Sequence, residues 1–135
     1  VTEIITIDIK TEWDIITARQ FARKIAKSIG FDVVDQARIA TAIGELAKNI
    51  FLYAEIGQIE IEKIDNEDLN LKGICIIAKD SGPGIADIKS VLGENSPEGI
   101  GAGIPGVKRL MDNMDITSEV GRGTKIRVEK WLRMG

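Results

Sequence analysis

The hydrophobic period of this chain changes several times, and each change restricts what it can fold into. Ile5, Ile7 and Ile9 fall on one face of an extended segment, with Thr6, Asp8 and Lys10 on the other. That alternation is the signature of a half-buried strand. From Asp14 the period lengthens. Ile15, Ala18, Ala22, Ile25, Ala26 and Ile29 recur mostly at three- and four-residue steps, a helical stripe that ends at Gly30. Asp32 or Asp35 can cap a second helix running to about Tyr53. Ala37, Ala40, Ala42, Ile43, Ala47, Ile50 and Phe51 make that helix largely apolar, which predicts heavy burial.

The period then returns to strands. Gly57 opens a strand over Gln58–Ile64, and Asp65-Asn66-Glu67-Asp68 is a polar turn. Leu71–Ala78 is almost continuously apolar, which predicts a central strand hairpinned to the one before it. Gly82-Pro83-Gly84 breaks the chain, and Ile85–Leu92 can form a short helix. Gly93–Gly103 is glycine-rich and reads as a mobile loop. A helix is expected over about Pro105–Asn113, with proline near its first turn, where a missing N–H costs little. Asp115–Val120 and Thr124–Leu132 read as strands joined by Gly121-Arg122-Gly123. The expected fold is an α+β two-layer sandwich: a mixed five-stranded sheet with about four helices on one face, formed by residues 1–135 as one domain.

Composition narrows the function classes. Hydrophobic residues make up 44% of the chain, which argues against disorder. The net charge of −3, with both signs mixed, argues against nucleic acid as a partner. The late basic residues Arg122, Lys125, Arg127, Lys130 and Arg133 fall mostly on a strand pattern and read as a solvated face. Cys75, the single cysteine, lies in an apolar run and reads as a small core residue. The chain has no histidine, which excludes a phospho-histidine relay, a histidine base and a histidine-ligated metal within it. It shows no signal peptide and no membrane-spanning run, so the expected location is cytoplasmic, with no membrane partner.

Four motifs can carry chemistry. Glu45 and Asn49 lie four apart on the second helix, which puts their side chains on one face about 6 Å apart. There a carboxylate can deprotonate a hydroxyl, and an amide oxygen can ligate Mg²⁺. A polar helix face explains the pair as well, but polar groups on so apolar a helix need partners or a function. Asp80, ahead of Gly82 and Gly84, can accept a hydrogen bond from an exocyclic amine such as adenine N6. An ordinary turn accounts for the same residues. Gly99, Gly101, Gly103 and Gly106 can expose backbone amides at a helix start, which favours phosphate, although a flexible surface loop is equally consistent. The run is neither a Walker A loop nor a dinucleotide fingerprint. Lys108 and Arg109 can reach phosphate or simply face solvent. Gly121-Arg122-Gly123-Thr124 is first a hairpin turn, from which Thr124 can touch adenine directly or through water.

Motifs in this order resemble the Bergerat-fold ATP-binding superfamily of gyrases, heat-shock chaperones, histidine kinases and MutL proteins. The first box matches Glu45 and Asn49, the second Asp80, Gly82 and Gly84, the third Gly101 and Gly103, and the last strand Thr124. Further segments look like the RsbT-type serine/threonine switch kinases of the bacterial stressosome. They are Thr11-Glu12-Trp13-Asp14-Ile15, Ala18-Arg19-Gln20, Asp35-Gln36-Ala37-Arg38-Ile39, Gly101–Asp112 and Lys130-Trp131-Leu132-Arg133. The resemblance covers nearly the whole chain. It departs at Gly44, where serine is expected.

The resemblance implies an ATP- and Mg²⁺-dependent protein kinase that phosphorylates serine or threonine on STAS-domain scaffold proteins. It also implies a switch, in which the kinase then leaves the scaffold and binds a downstream enzyme such as a PPM-family phosphatase. On this reading Glu45 is the general base and Asn49 holds Mg²⁺. Asp80, with Gly82, Gly84, Ile85 and Thr124, holds the adenine end, and Gly101, Ala102 and Gly103 close over the phosphates. Residues Gly93–Gly103 would form the lid. The alternatives are an anti-sigma factor kinase on the same fold, a histidine-kinase fragment, a gyrase-like ATPase and a non-catalytic scaffold-binding switch. The absence of histidine, of a dimerisation helix and of a transducer domain counts against the second and third.

Overall fold

The central strand is β3, Leu71–Asp80, as its apolar run predicts. The computed structural model describes residues 3–54, 56–82 and 103–132. In chain order these form β1 (Ile4–Ile9), α1 (Glu12–Ile29), α2 (Val33–Asn49), a π-helical turn (Ile50–Ala54), β2 (Gly57–Asn66), β3, α3 (Gly103–Leu110), β4 (Asn113–Glu119) and β5 (Gly123–Trp131). The sheet order is β1-β2-β3-β5-β4.

The helix starts are fixed by carboxylates. Asp14 Oδ2 accepts the backbone N–H groups of Lys10 and Thr11, both at 2.8 Å, closing the first turn of α1. Those two amide bonds hold the Asp14 carboxyl below the usual carboxylate range. Asp32 caps α2 by accepting the Asp35 N–H at 2.8 Å.

The helices cover one face of the sheet. Ile7 and Ile9 of β1, Ile59 and Ile61 of β2, Ile74, Ile76 and Ala78 of β3, and Ile126 and Val128 of β5 point into one core. There they meet Ala18, Ala22 and Ala26 of α1 and Ile39, Ile43 and Leu46 of α2. The alanines of α1 let that helix lie close against α2, while the isoleucines fill the space beneath. Truncating one such fully buried isoleucine to alanine typically costs about 2–5 kcal/mol, so this layer dominates the packing. Cys75 is buried on β3, and burial pushes its thiol above the ordinary range.

The two-layer α+β plan agrees with expectation, but the sheet differs in one respect. A mixed sheet was expected, and all four neighbouring pairs are antiparallel. β3 and β4 do run in the same direction, but β5 folds back between them and pairs with both. The expected helix Ile85–Leu92 lies outside the described residues. Among the described residues no helix is long and apolar enough to cross a membrane.

Candidate active site

Most of α2 is buried: Ile39, Ala40, Ala42, Ile43, Gly44, Leu46 and Ala47. Glu45 and Asn49 are only half-buried, one turn apart at the helix edge. Glu45 Oε2 accepts the Gly103 N–H at 2.9 Å. Gly103 opens α3, so the carboxylate sits at the positive end of a helix, where amides are left without intrahelical acceptors. The first and third motifs, 58 residues apart, therefore meet.

The second and fourth motifs meet as well. Asp80 ends β3 directly opposite Thr124 of β5. Its Oδ1 accepts the Gly82 N–H at 2.9 Å and the Thr124 N–H at 3.3 Å. Two amides on one oxygen fix the plane of the carboxylate, and Oδ2 has no hydrogen-bond partner among the described residues. Gly123 makes this approach possible. Its φ of +107° favours glycine, and a Cβ there would run into the Asp80 carbonyl oxygen. At Gly82 a Cβ would stand 2.7 Å from the Ala54 Cβ, so the chain after β3 passes flush against the end of the π-helical turn. An open cleft of about 1030 Å³ adjoins these residues, with Lys79, Asp80, Ser81, Gly123, Thr124 and Lys125 among its walls. Glu45 and Asn49 do not line it.

Several features escaped the sequence reading. The second helix was expected to continue to about Tyr53, but α2 ends at Asn49 and a π-helical turn follows. Ile50–Ala54 contains no glycine or proline to mark the change. π turns are short and often lie at functional sites, and this one directly follows Asn49. Ser118 was also missed: its hydroxyl lies 2.9 Å from that of Thr124. The side chain expected to touch adenine is thus already engaged, and it is the Thr124 backbone that meets Asp80. Lys108 and Arg109 are exposed on α3. At Gly44, where serine was expected, the Arg19 side chain occupies the space a Cβ would need. Gly84, Ile85, Gly101, Ala102 and the expected lid up to residue 102 lie outside the described residues.

The five-stranded sheet with helices on one face, and the α2 carboxylate at the glycine that opens α3, belong to an ATPase-like domain. Residues 10–130 match the family described as Histidine kinase-like ATPase domain. The Serine/threonine-protein kinase RsbT of Bacillus subtilis is 57% identical over 127 residues, covering 93% of this chain and 94% of that protein. The Anti-sigma F factor of Caldanaerobacter subterraneus subsp. tengcongensis is 28% identical over 120 residues, covering 85% of this chain and 83% of that protein. A crystal structure of the RsbU and RsbW domains of a Mycobacterium tuberculosis protein superposes with a TM-score of 0.63 at 20% identity. It covers all of this chain, which spans 34% of that one, and it shows the shared fold. The chain belongs to the histidine kinase-like ATPase family and, within it, to the RsbT-type serine/threonine kinases. The activity that goes with this membership is ATP-dependent phosphorylation of protein serine or threonine.

Proposed function

We propose that residues 1–135 act as one cytoplasmic kinase domain that transfers the ATP γ-phosphate to a serine or threonine of a STAS-domain scaffold protein. After transfer the kinase leaves the scaffold and activates a downstream enzyme such as a PPM-family phosphatase. The observation that supports this reading most directly is the hydrogen bond from the Gly103 amide to Glu45. It brings a carboxylate to the N-terminus of a helix that already favours an anion.

In the proposed reaction the partner's hydroxyl oxygen attacks the γ-phosphorus, the bond to the β,γ-bridging oxygen breaks, and ADP leaves. Glu45 takes the hydroxyl proton. The Gly103 amide stays on Glu45 Oε2 and leaves the other carboxylate oxygen for that proton, while Gly101 and Ala102, which precede it in sequence, close over the phosphates. Asp80 Oδ2 accepts the adenine amino group, while Oδ1 stays fixed by Gly82 and Thr124. Gly82, Gly84 and Ile85 shape the adenine wall, and Thr124 acts through its backbone. Asn49 fits Mg²⁺ because its amide oxygen is a hard donor, half-buried one turn from Glu45. Bound there, the ion would neutralise phosphate charge, the main demand of this chemistry.

The test is incubation with Mg-ATP and a STAS-domain protein, followed by mass spectrometry to locate phosphate. Phosphoserine or phosphothreonine on the partner is the expected result. Glu45→Ala should keep nucleotide binding and slow transfer roughly a hundredfold or more. Full activity in that variant would remove Glu45 as base. The likeness to the Anti-sigma F factor supports a second reading, an anti-sigma factor kinase. Capture of a sigma factor in a pull-down would favour it.

A further inference from the structure

Among the described residues, Lys130 is the charged side chain that the fold buries, at 9% exposure. It lies on β5, on the core face that also carries Ile126 and Val128. An ammonium is costly to bury, so its partners at this position matter. Nζ donates to the carbonyl oxygen of Leu110, the last residue of α3, at 3.0 Å. The Asp35 carboxylate, in the first turn of α2, stands 4.0 Å away and also pairs with Arg38 at 3.0 Å. The ammonium thus sits at the negative end of one helix and the acidic start of another.

The other ends of the same two helices meet at the candidate site, where Gly103 of α3 donates to Glu45 of α2. α2 and α3 therefore lie antiparallel, with one tie at each end. The tie points on α3 are about 10 Å apart along its axis, at a rise of 1.5 Å per residue. The chain beyond α3 is pinned to β5 by Asp112 N–H to Glu129 O at 2.9 Å and by Trp131 N–H to Asp112 Oδ2 at 2.8 Å. Those bonds hold α3 to the sheet. The Lys130 side chain contacts both helices.

We propose that Lys130 is a positioning residue for phosphoryl transfer. By joining the end of α3 to the start of α2 it sets the register of one helix along the other, and so holds the Gly103 amide at Glu45. The proposal rests on the reading of Glu45 and Gly103 given above. Apolar packing through Ile104 and Val107 of α3, and Met111 just beyond it, holds the helix down, and the directed bond to Leu110 adds a constraint along α2.

The test compares Lys130→Met, of similar length but neutral, with Lys130→Arg, which keeps the charge. Lys130→Leu, neutral and without a donor for Leu110, is the second variant should the first not fold. Four quantities are read: hydrogen exchange at the Gly103 amide without nucleotide, kcat, KM for ATP and the thermal midpoint. The neutral variant should exchange Gly103 roughly tenfold faster and lose about tenfold or more in kcat, with KM within about threefold. Lys130→Arg should recover most of both losses at a similar thermal midpoint. Wild-type exchange and kcat in a folded neutral variant would overturn the proposal, as would equal losses in Lys130→Arg. The exchange reading judges Lys130 without reference to catalysis. Full transfer by Glu45→Ala, run alongside, would instead sink the site assignment itself.

Discussion

At Asp80 the two carboxylate oxygens stand in different surroundings. Oδ1 is committed to the amides of Gly82 and Thr124, which leaves the other oxygen in a fixed direction for a ligand. Replacing it with asparagine keeps an acceptor for the two amides but turns an NH₂ toward the place of the adenine amine. Asp80→Asn should therefore weaken ATP binding by about tenfold or more, as expected when an acceptor is replaced by a mismatched donor. Titration of the variant with ATP checks this, and an unchanged affinity would remove Asp80 from the site. The place of Asp80 at the end of β3 was legible in the sequence, because an apolar strand runs up to it, although an ordinary turn explains the same residues. The part played by Thr124 was not. It enters through a backbone N–H, which every residue but proline carries, so the side chain at 124 does not advertise it.

The elements were legible wherever a period ran long enough. Ile5, Ile7 and Ile9 marked β1, and the alanine-rich stripe marked α1. Boundaries were less so. β2 continues two residues past Ile64 because its ladder with β3 extends to the Asn66–Leu71 pair. α3 stops at Leu110 rather than near Asn113 because Asn113 already pairs with Glu129 in the sheet. The start of α1 yields a prediction with a definite sign. The Asp14 carboxyl is held below its ordinary value by the Lys10 and Thr11 amides. Its contribution is therefore complete above the unfolded pKa of about 3.9 and is lost as pH falls through the lower folded value. Asp14→Ala should cost about 1 kcal/mol at neutral pH. The gap between wild type and variant should close below about pH 4, read from urea unfolding at each pH. A constant gap would show that the cap acts through something other than the charged carboxylate.

Across the whole molecule, the layers followed from composition and period, but the strand order did not. Nothing local to β5 says that it enters between β3 and β4, because its two ladders are chosen by side chains far away in the chain. The same distance explains why the motifs weighed little singly and acquire meaning only when folded. If the site binds ATP as proposed, nucleotide at a hundred times its Kd should add about 2.7 kcal/mol to stability. For a chain of this size that raises the thermal midpoint by roughly 10 °C. A scan with and without Mg-ATP measures it, and no shift at saturating nucleotide would speak against binding to the folded state.

The separations within the two motif pairs also bear on how the protein is made. Glu45 waits for Gly103, 58 residues later, and Asp80 for Thr124, 44 residues later. Closing loops of that length costs entropy before any contact repays it, so such pairs form late. On a ribosome, α1 and α2 can fold against each other long before β5 has emerged. The nascent chain can thus carry Glu45 and its capped helices before Asp80 has met Thr124. On the proposed reading, competence for ATP then waits for β5.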